Sequence, residues 1–92
     1  LTTLFIVELL NANYDHKIIV EGHTDSSGDV SFNQNLSNLR AKSVYDFITK
    51  RGINKERVSY TGLGISKPRY SNETLEGRNK NRRIELKLSL DK

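Results

Sequence analysis

An α+β fold, with helices laid on one face of a small sheet, is what this sequence predicts. Three observations carry it. Residues 33–52, "NQNLSNLRAKSVYDFITKRG", repeat apolar side chains at three- and four-residue spacing, the period of a helix packed by one face. Residues 82–90, "RRIELKLSL", alternate Ile84, Leu86, Leu88 and Leu90 with Glu85, Lys87 and Ser89, the period of a strand buried on one side. Two further short runs, "KIIVEG" and "RVSYTGLG", are β-branched or alternating and stop at glycines, as strands do.

Taken in order, residues 1–13 are apolar at 1, 4, 5, 6, 7, 9 and 10. Leu4, Val7 and Leu10 on one side favour a helix over a buried strand, although periodicity alone does not separate the two. "NANYDH" reads as a turn and "KIIVEG" as the first strand. In the long helix, Leu36, Leu39, Val44, Phe47 and Ile48 form the expected core face, and Asn33 to Asn35 offer capping groups. Lys50 and Arg51 fall in the last turn, where the helix dipole favours cations, and Gly52 follows. "RVSYTGLG" is a strand ending in a glycine turn. Residues 65–81 are expected to be a loop with one helical turn near "NETLEG". The last two strands are expected to form an antiparallel pair, and residues 1–92 to form one domain.

Composition bounds the function. Hydrophobic residues are 35% and charged residues 28%, as in a folded soluble domain, and no run of about 18 apolar residues is present to cross a membrane. The opening "LTTLFIVELL" lacks the basic start and small-residue cleavage site of a secretory signal, so it is expected to be core structure. No cysteine is present, which excludes disulfide and thiolate chemistry. A net charge of +4 favours an anionic partner such as nucleic acid, an acidic polymer or a lipid surface.

The polar loop "VEGHTDSSGD", directly after the first strand, is the place to look for a site. Metal binding by His23 and Asp25 is not expected. Zinc needs three or four ligands, and the other candidates, His16 and Asp29, have no spacing that guarantees approach. Catalysis is not expected either, because Ser26, Ser27 and Ser37 lie in no nucleophile elbow and nothing marks one as activated. A third reading uses Arg40, at the edge of the expected buried stripe, where a lone charge is costly. With Asp25 across a cleft, it would suit a ligand carrying an ammonium and a carboxylate on one carbon. The guanidinium would fork onto the carboxylate, and the aspartate would accept from the ammonium. The plainer alternative is that Asp25 and Arg40 pair with each other, or that Asp25 shapes a turn.

An ordered set of motifs then carries a resemblance. "EGHTDSSGD", Asn33, "LSNLRA" at 36–41, Gly52, "GLG" at 62–64, Pro68, Asn72, Thr74 and "GRNKNRRIE" at 77–85 together resemble the OmpA-like peptidoglycan-binding domain, over about residues 10–90. The resemblance implies a β-α-β-α-β-β two-layer sandwich with a mixed sheet. It also implies non-covalent binding of the peptidoglycan stem peptide through the zwitterionic end of meso-diaminopimelate. The family's clamping aspartate and arginine fall on Asp25 and Arg40. Asn33 and Arg82 fall on residues that line the site, and Thr24 and Leu39 lie near it by position. No catalytic residue, metal or cofactor is implied.

This sequence departs from the family pattern at its start, where the family's first strand has no counterpart. An N-terminally truncated domain, or a strand supplied from elsewhere, is expected. An uncovered sheet edge invites pairing, so a homodimer is one expected state. The resemblance implies a periplasmic domain associated with the outer membrane or cell envelope, held to the membrane only through an upstream anchor. It would fix an outer-membrane protein, a lipoprotein or a flagellar-type stator to the cell wall. A basic nucleic-acid-binding module is the remaining alternative, resting on Lys67, Arg69, Arg78, Lys80, Arg82 and Arg83. No stacking aromatics interleave "GRNKNRR", and nucleic acid is not the expected partner.

Overall fold

The computed structural model describes residues 3–12 and 16–90, with the side chains of residues 3–5 and 90 outside the description. Its elements run α1 (Thr3–Ala12), β1 (His16–His23), α2 (Val30–Lys50), a single 3-10 turn (Lys55–Arg57), β2 (Val58–Gly64), α3 (Leu75–Asn81) and β3 (Arg83–Leu90). The strands form one mixed sheet in the order β2-β1-β3. β1 runs parallel to β2, with α2 as the crossover a parallel pair requires, and antiparallel to β3. This is the α+β arrangement the sequence predicts.

The last two strands are not an antiparallel pair. They flank β1 on opposite sides, because the connection between them is long and carries a helix rather than a tight turn. Thr74 caps that helix, its hydroxyl accepting from the Gly77 N–H at 2.9 Å, so "NETLEG" is the start of α3 and not a lone turn. β2 and β3 each present one edge with no strand partner among the described residues.

The core lies between the sheet and α1 and α2. Ile6, Val7 and Leu10 of α1 meet Ile18 and Val20 of β1, Ala41 and Ile48 of α2, Ile53 and Val58. Val7 and Leu10 match the expected helical stripe, while the side chain of Leu4 lies outside the described residues, as do residues 13–15 of the expected turn. Arg57 joins the end of α1 to the start of β1, donating to the carbonyls of Leu10 at 2.8 Å and His16 at 3.1 Å.

The first half of α2 packs differently from the expectation. Its buried stripe is Asn33, Ser37, Ala41 and Ile48, with Val44 and Phe47 partly buried against the core. Leu36 is only half-buried and Leu39 is 64% exposed. Small and polar groups are needed here because the strands come in close at their glycines. A Cβ on Gly22 would stand 2.2 Å from the Ser37 carbonyl oxygen, and one on Gly62 would stand 2.4 Å from the Asn38 backbone nitrogen. Side chains of α2 then take over hydrogen bonds to the end of β2. Gln34 Nε2 donates to Gly62 O at 2.6 Å, Asn38 Oδ1 accepts from Gly62 N at 2.8 Å, and Ser37 Oγ accepts from Gly64 N at 3.0 Å. The register between β1 and β2 shifts at this point, between Gly22 and His23.

α2 also begins earlier than expected. Asp29 is its N-cap, accepting from Phe32 N at 2.9 Å, so Asn33 to Asn35 lie inside the helix. The expected C-terminal end holds: Lys50 is in the last turn, Arg51 is the cap, and Gly52 follows at φ +96°.

Candidate ligand-binding site at the end of β1

β1 runs straight into the loop Thr24–Asp29, whose first two residues are buried while Ser26–Asp29 are exposed. His23, Thr24 and Asp25 are only 2%, 3% and 3% exposed. The Thr24 N–H donates to Gly64 O at 2.9 Å, extending the β1–β2 pairing by one bond past the register shift. Its hydroxyl, buried, finds no hydrogen-bond partner among the described residues.

Asp25 folds back on its own loop. Its Oδ1 accepts from Ser27 N at 2.9 Å, an Asx turn, and its Oδ2 pairs with the Arg82 guanidinium. Burial would raise the carboxyl's pKa. The Ser27 hydrogen bond and the charges of Arg82 and Arg78 outweigh it and hold the group below its ordinary value. Asn33, buried in the first turns of α2, closes the loop from the other side, its Nδ2 donating to Ser27 O at 2.6 Å.

A second set of hydrogen bonds sets the loop from below. Asn81, fully buried at the end of α3, accepts through Oδ1 from Arg69 N and Tyr70 N at 3.1 and 3.0 Å. Its Nδ2 donates to Tyr70 O and to Asn72 Oδ1, both at 2.9 Å. Asn72 Oδ1 in turn accepts from Ser26 N at 3.3 Å, so the 65–74 segment and the Asp25 loop share one polar network. "GRNKNRR" is therefore largely structural. Arg78 donates to Asn72 O, Arg83 to Asn81 O and Lys67 O, and Arg82 pairs with Asp25 and Asn79.

The residues singled out on the sequence are thus only partly brought together. Asp25, Thr24, Asn33 and Arg82 surround one loop. Asp25 pairs with Arg82, not with Arg40. Arg40 is exposed, as is Leu39. For Leu39 the reason is the shifted packing of α2, whose inward face is Asn33, Ser37 and Ala41. An exposed Arg40 has its guanidinium available to a solvent-borne anion.

Two features escaped sequence reasoning. One is the Asn72–Asn81 support, since two asparagines nine residues apart carry no signal until a loop folds over them. The other is a cluster of Glu21, His23 and Glu85, whose ligand atoms all lie within 4.8 Å of one another. Burial first, then the charge of Arg83, lowers the His23 pKa against the opposing pull of Glu85 and Glu21.

A mixed three-strand sheet with α2 across it, and a buried aspartate at the start of the loop after β1, is the OmpA-like architecture. The sequence model of the OmpA family matches residues 2–82, and this chain belongs to that family. It is 40% identical over 81 residues to the peptidoglycan-binding protein ArfA of Mycobacterium tuberculosis, covering 88% of this chain and 25% of that protein. It is 43% identical over 70 residues to the outer-membrane lipoprotein YfiB of Pseudomonas aeruginosa, covering 76% of this chain and 42% of that one. The chain thus spans about a quarter to two fifths of the length of these curated relatives. Among solved structures, the peptidoglycan-associated lipoprotein of Burkholderia pseudomallei shares the fold at TM-score 0.89 and 23% identity, covering 95% of this chain and 74% of that one. The periplasmic domain of Helicobacter pylori MotB superposes at TM-score 0.82 and 28% identity, covering 98% and 62%.

Proposed function

We propose that this domain binds peptidoglycan non-covalently, taking the free amino-acid end of a diaminopimelate stem peptide between Asp25 and the arginines around it. The observation that carries this reading is the Asp25 loop: a buried, ionised carboxylate beside a buried threonine hydroxyl that has no hydrogen-bond partner among the described residues. A buried hydroxyl without a partner is uncommon, and a ligand atom is one way to satisfy it. An ammonium would add to Asp25, and the ligand carboxylate would take the exposed Arg40 and the exposed part of Arg82. Leu39, exposed on the same stretch of α2, would offer apolar contact, and Asn33 would hold the loop. The similarity to ArfA, whose name states peptidoglycan binding, supports the same assignment.

In this reading the domain is non-catalytic and works in the periplasm, fixing an envelope protein to the cell wall. A stator role is a second reading, favoured by the likeness to MotB at 28% identity. No helix among the described residues is long and apolar enough to cross a membrane, so membrane attachment would come from other parts of such a protein.

The test is co-sedimentation with purified sacculi, followed by titration with two stem peptides. A diaminopimelate peptide is expected to bind roughly 10- to 100-fold tighter than its lysine counterpart, which lacks the carboxylate, as for the loss of a charge-assisted hydrogen bond. Arg40→Ala is expected to abolish the difference while leaving the fold intact, because Arg40 is exposed. Equal affinity for both peptides would overturn the zwitterion clamp.

A further inference from the structure

We propose that Glu21, His23 and Glu85 form a transition-metal site, best suited to zinc, on the sheet face opposite α2. The pleat builds it. Gly22 turns toward Ser37 of α2, so Glu21 and His23 turn the other way, and the antiparallel register sets Glu85 beside Glu21 and Arg83 beside His23. His23 Nε2 is 3.4 Å from Glu21 Oε1 and 4.0 Å from Glu85 Oε2. A tetrahedral ion holding its ligands at about 2.0–2.1 Å sets neighbouring ligand atoms about 3.3 Å apart. The His23–Glu21 edge of such a site therefore stands near its final length, while the His23–Glu85 edge and the Glu21–Glu85 edge, within 4.8 Å, close by side-chain rotation.

A separate observation points the same way. His23 is only 2% exposed, and among the described residues neither ring nitrogen has a hydrogen-bond partner. Buried imidazoles are normally satisfied, and this one is aimed at two carboxylates. One imidazole with two carboxylates suits zinc better than magnesium or calcium, which prefer oxygen alone.

Three cations now face the cluster. Lys87 Nζ is 3.3 Å from Glu21 Oε1, and Glu85 Oε2 is 3.1 Å from Arg69 Nε and 2.5 Å from Arg83 Nε. Lys87 and Arg69 are 52% and 64% exposed, and ion pairs of such long, wet side chains are weak, so both swing out at little cost. Arg83 stays, tied to Asn81 O and Lys67 O, and fixes the Glu85 carboxylate through its Oε2. The site is on a different face from Arg40 and does not rest on the peptidoglycan reading.

The experiment titrates chelator-treated protein with zinc chloride, read by calorimetry and by the imidazole nitrogen resonances. One zinc per chain is expected to bind, moving the His23 ring signals and raising the melting temperature, while magnesium does neither. His23→Gln is expected to weaken zinc by roughly 10-fold or more. Because a buried substitution can unfold the chain, Lys87→Met is the second variant. It keeps all three ligands, removes the competing ammonium, and is expected to tighten zinc about two- to fivefold, the worth of one exposed ion pair. No heat of binding, movement of the His16 signals alone, or unchanged affinity in Lys87→Met would overturn the site. None of these readouts involves peptidoglycan.

Discussion

Asp25 at the end of β1 and Arg82 at the end of α3, 57 residues apart in sequence, are joined as an ion pair. The aspartate is buried and the arginine is 38% exposed. This asymmetry decides how the two sides of the pair respond to mutation. Arg82→Ala leaves a buried carboxylate with the Ser27 N–H and the charge of Arg78, and is expected to cost ~1–2 kcal/mol. That is below the 3–5 of a fully buried pair because water reaches Arg82. Asp25→Asn keeps the shape and an acceptor for Ser27, so it is expected to cost less in stability yet to lose sacculus binding. Urea unfolding and sacculus co-sedimentation on the two variants check the contrast. Asp25→Asn binding as well as the parent would remove Asp25 from the site.

Acid should weaken the fold through the same residue. The Asp25 carboxyl is held below its ordinary value in the folded chain, so the unfolded chain takes up its proton first as pH falls. The stability this group contributes is therefore fully present above the unfolded value of ~3.9 and is lost as pH falls through the lower, folded value. In metal-free buffer, the melting temperature of the parent is expected to fall more steeply below pH 4 than that of Asp25→Asn. Parallel curves would show that the pair contributes nothing.

The contact between Gly22 and Ser37 is closed to any side chain. Gly22→Ala places a methyl carbon 2.2 Å from a backbone carbonyl oxygen, which the long helix relieves only by moving as a body. The expected cost is ~3 kcal/mol, at the upper end for overpacking, or about 12 °C or more in melting temperature for a domain of this size. A calorimetric scan measures it, and a shift under 3 °C would mean that α2 is free to move away from the sheet.

The Asn72–Asn81 support gives a graded test of how the Asp25 loop is held. Asn72 Oδ1 accepts from both Ser26 N and Asn81 Nδ2. Asn72→Ala removes that acceptor and leaves the buried Asn81 amide one bond short, at ~1–2 kcal/mol. Asn72→Asp keeps the oxygen and is expected to restore most of the stability and the peptidoglycan affinity. Failure of the aspartate to rescue either would assign Asn72 a role other than acceptor.

Much of this protein is legible in its sequence, because local periodicity reports local geometry. The alternation in 82–90, the glycine-ended runs, and the long helix closing at Lys50 and Gly52 gave the elements. The ordered motifs gave the family, and with it Asp25, Arg82, Thr24 and Asn33 around one loop. Which side of a helix faces inward was less legible. Leu36 and Leu39 look like core by hydrophobicity, yet Asn33, Ser37 and Ala41 take that place. Strand glycines demand small neighbours, and α2 must supply hydrogen bonds to a sheet whose register shifts.

Pairings that span the chain were decided by tertiary structure alone. Sequence spacing says nothing about distance between residues 25 and 82, or among 21, 23 and 85. Arg82 rather than Arg40 became the partner of Asp25 because α3 returns the chain to the end of β1, while α2 turns Arg40 outward. Glu85 met His23 because β3 crosses to the far side of β1 instead of pairing with β2. A charge finds its partner through the fold that surrounds it, and at such separations the fold is set by the burial of core residues such as Ile18, Val20, Leu10 and Ile48.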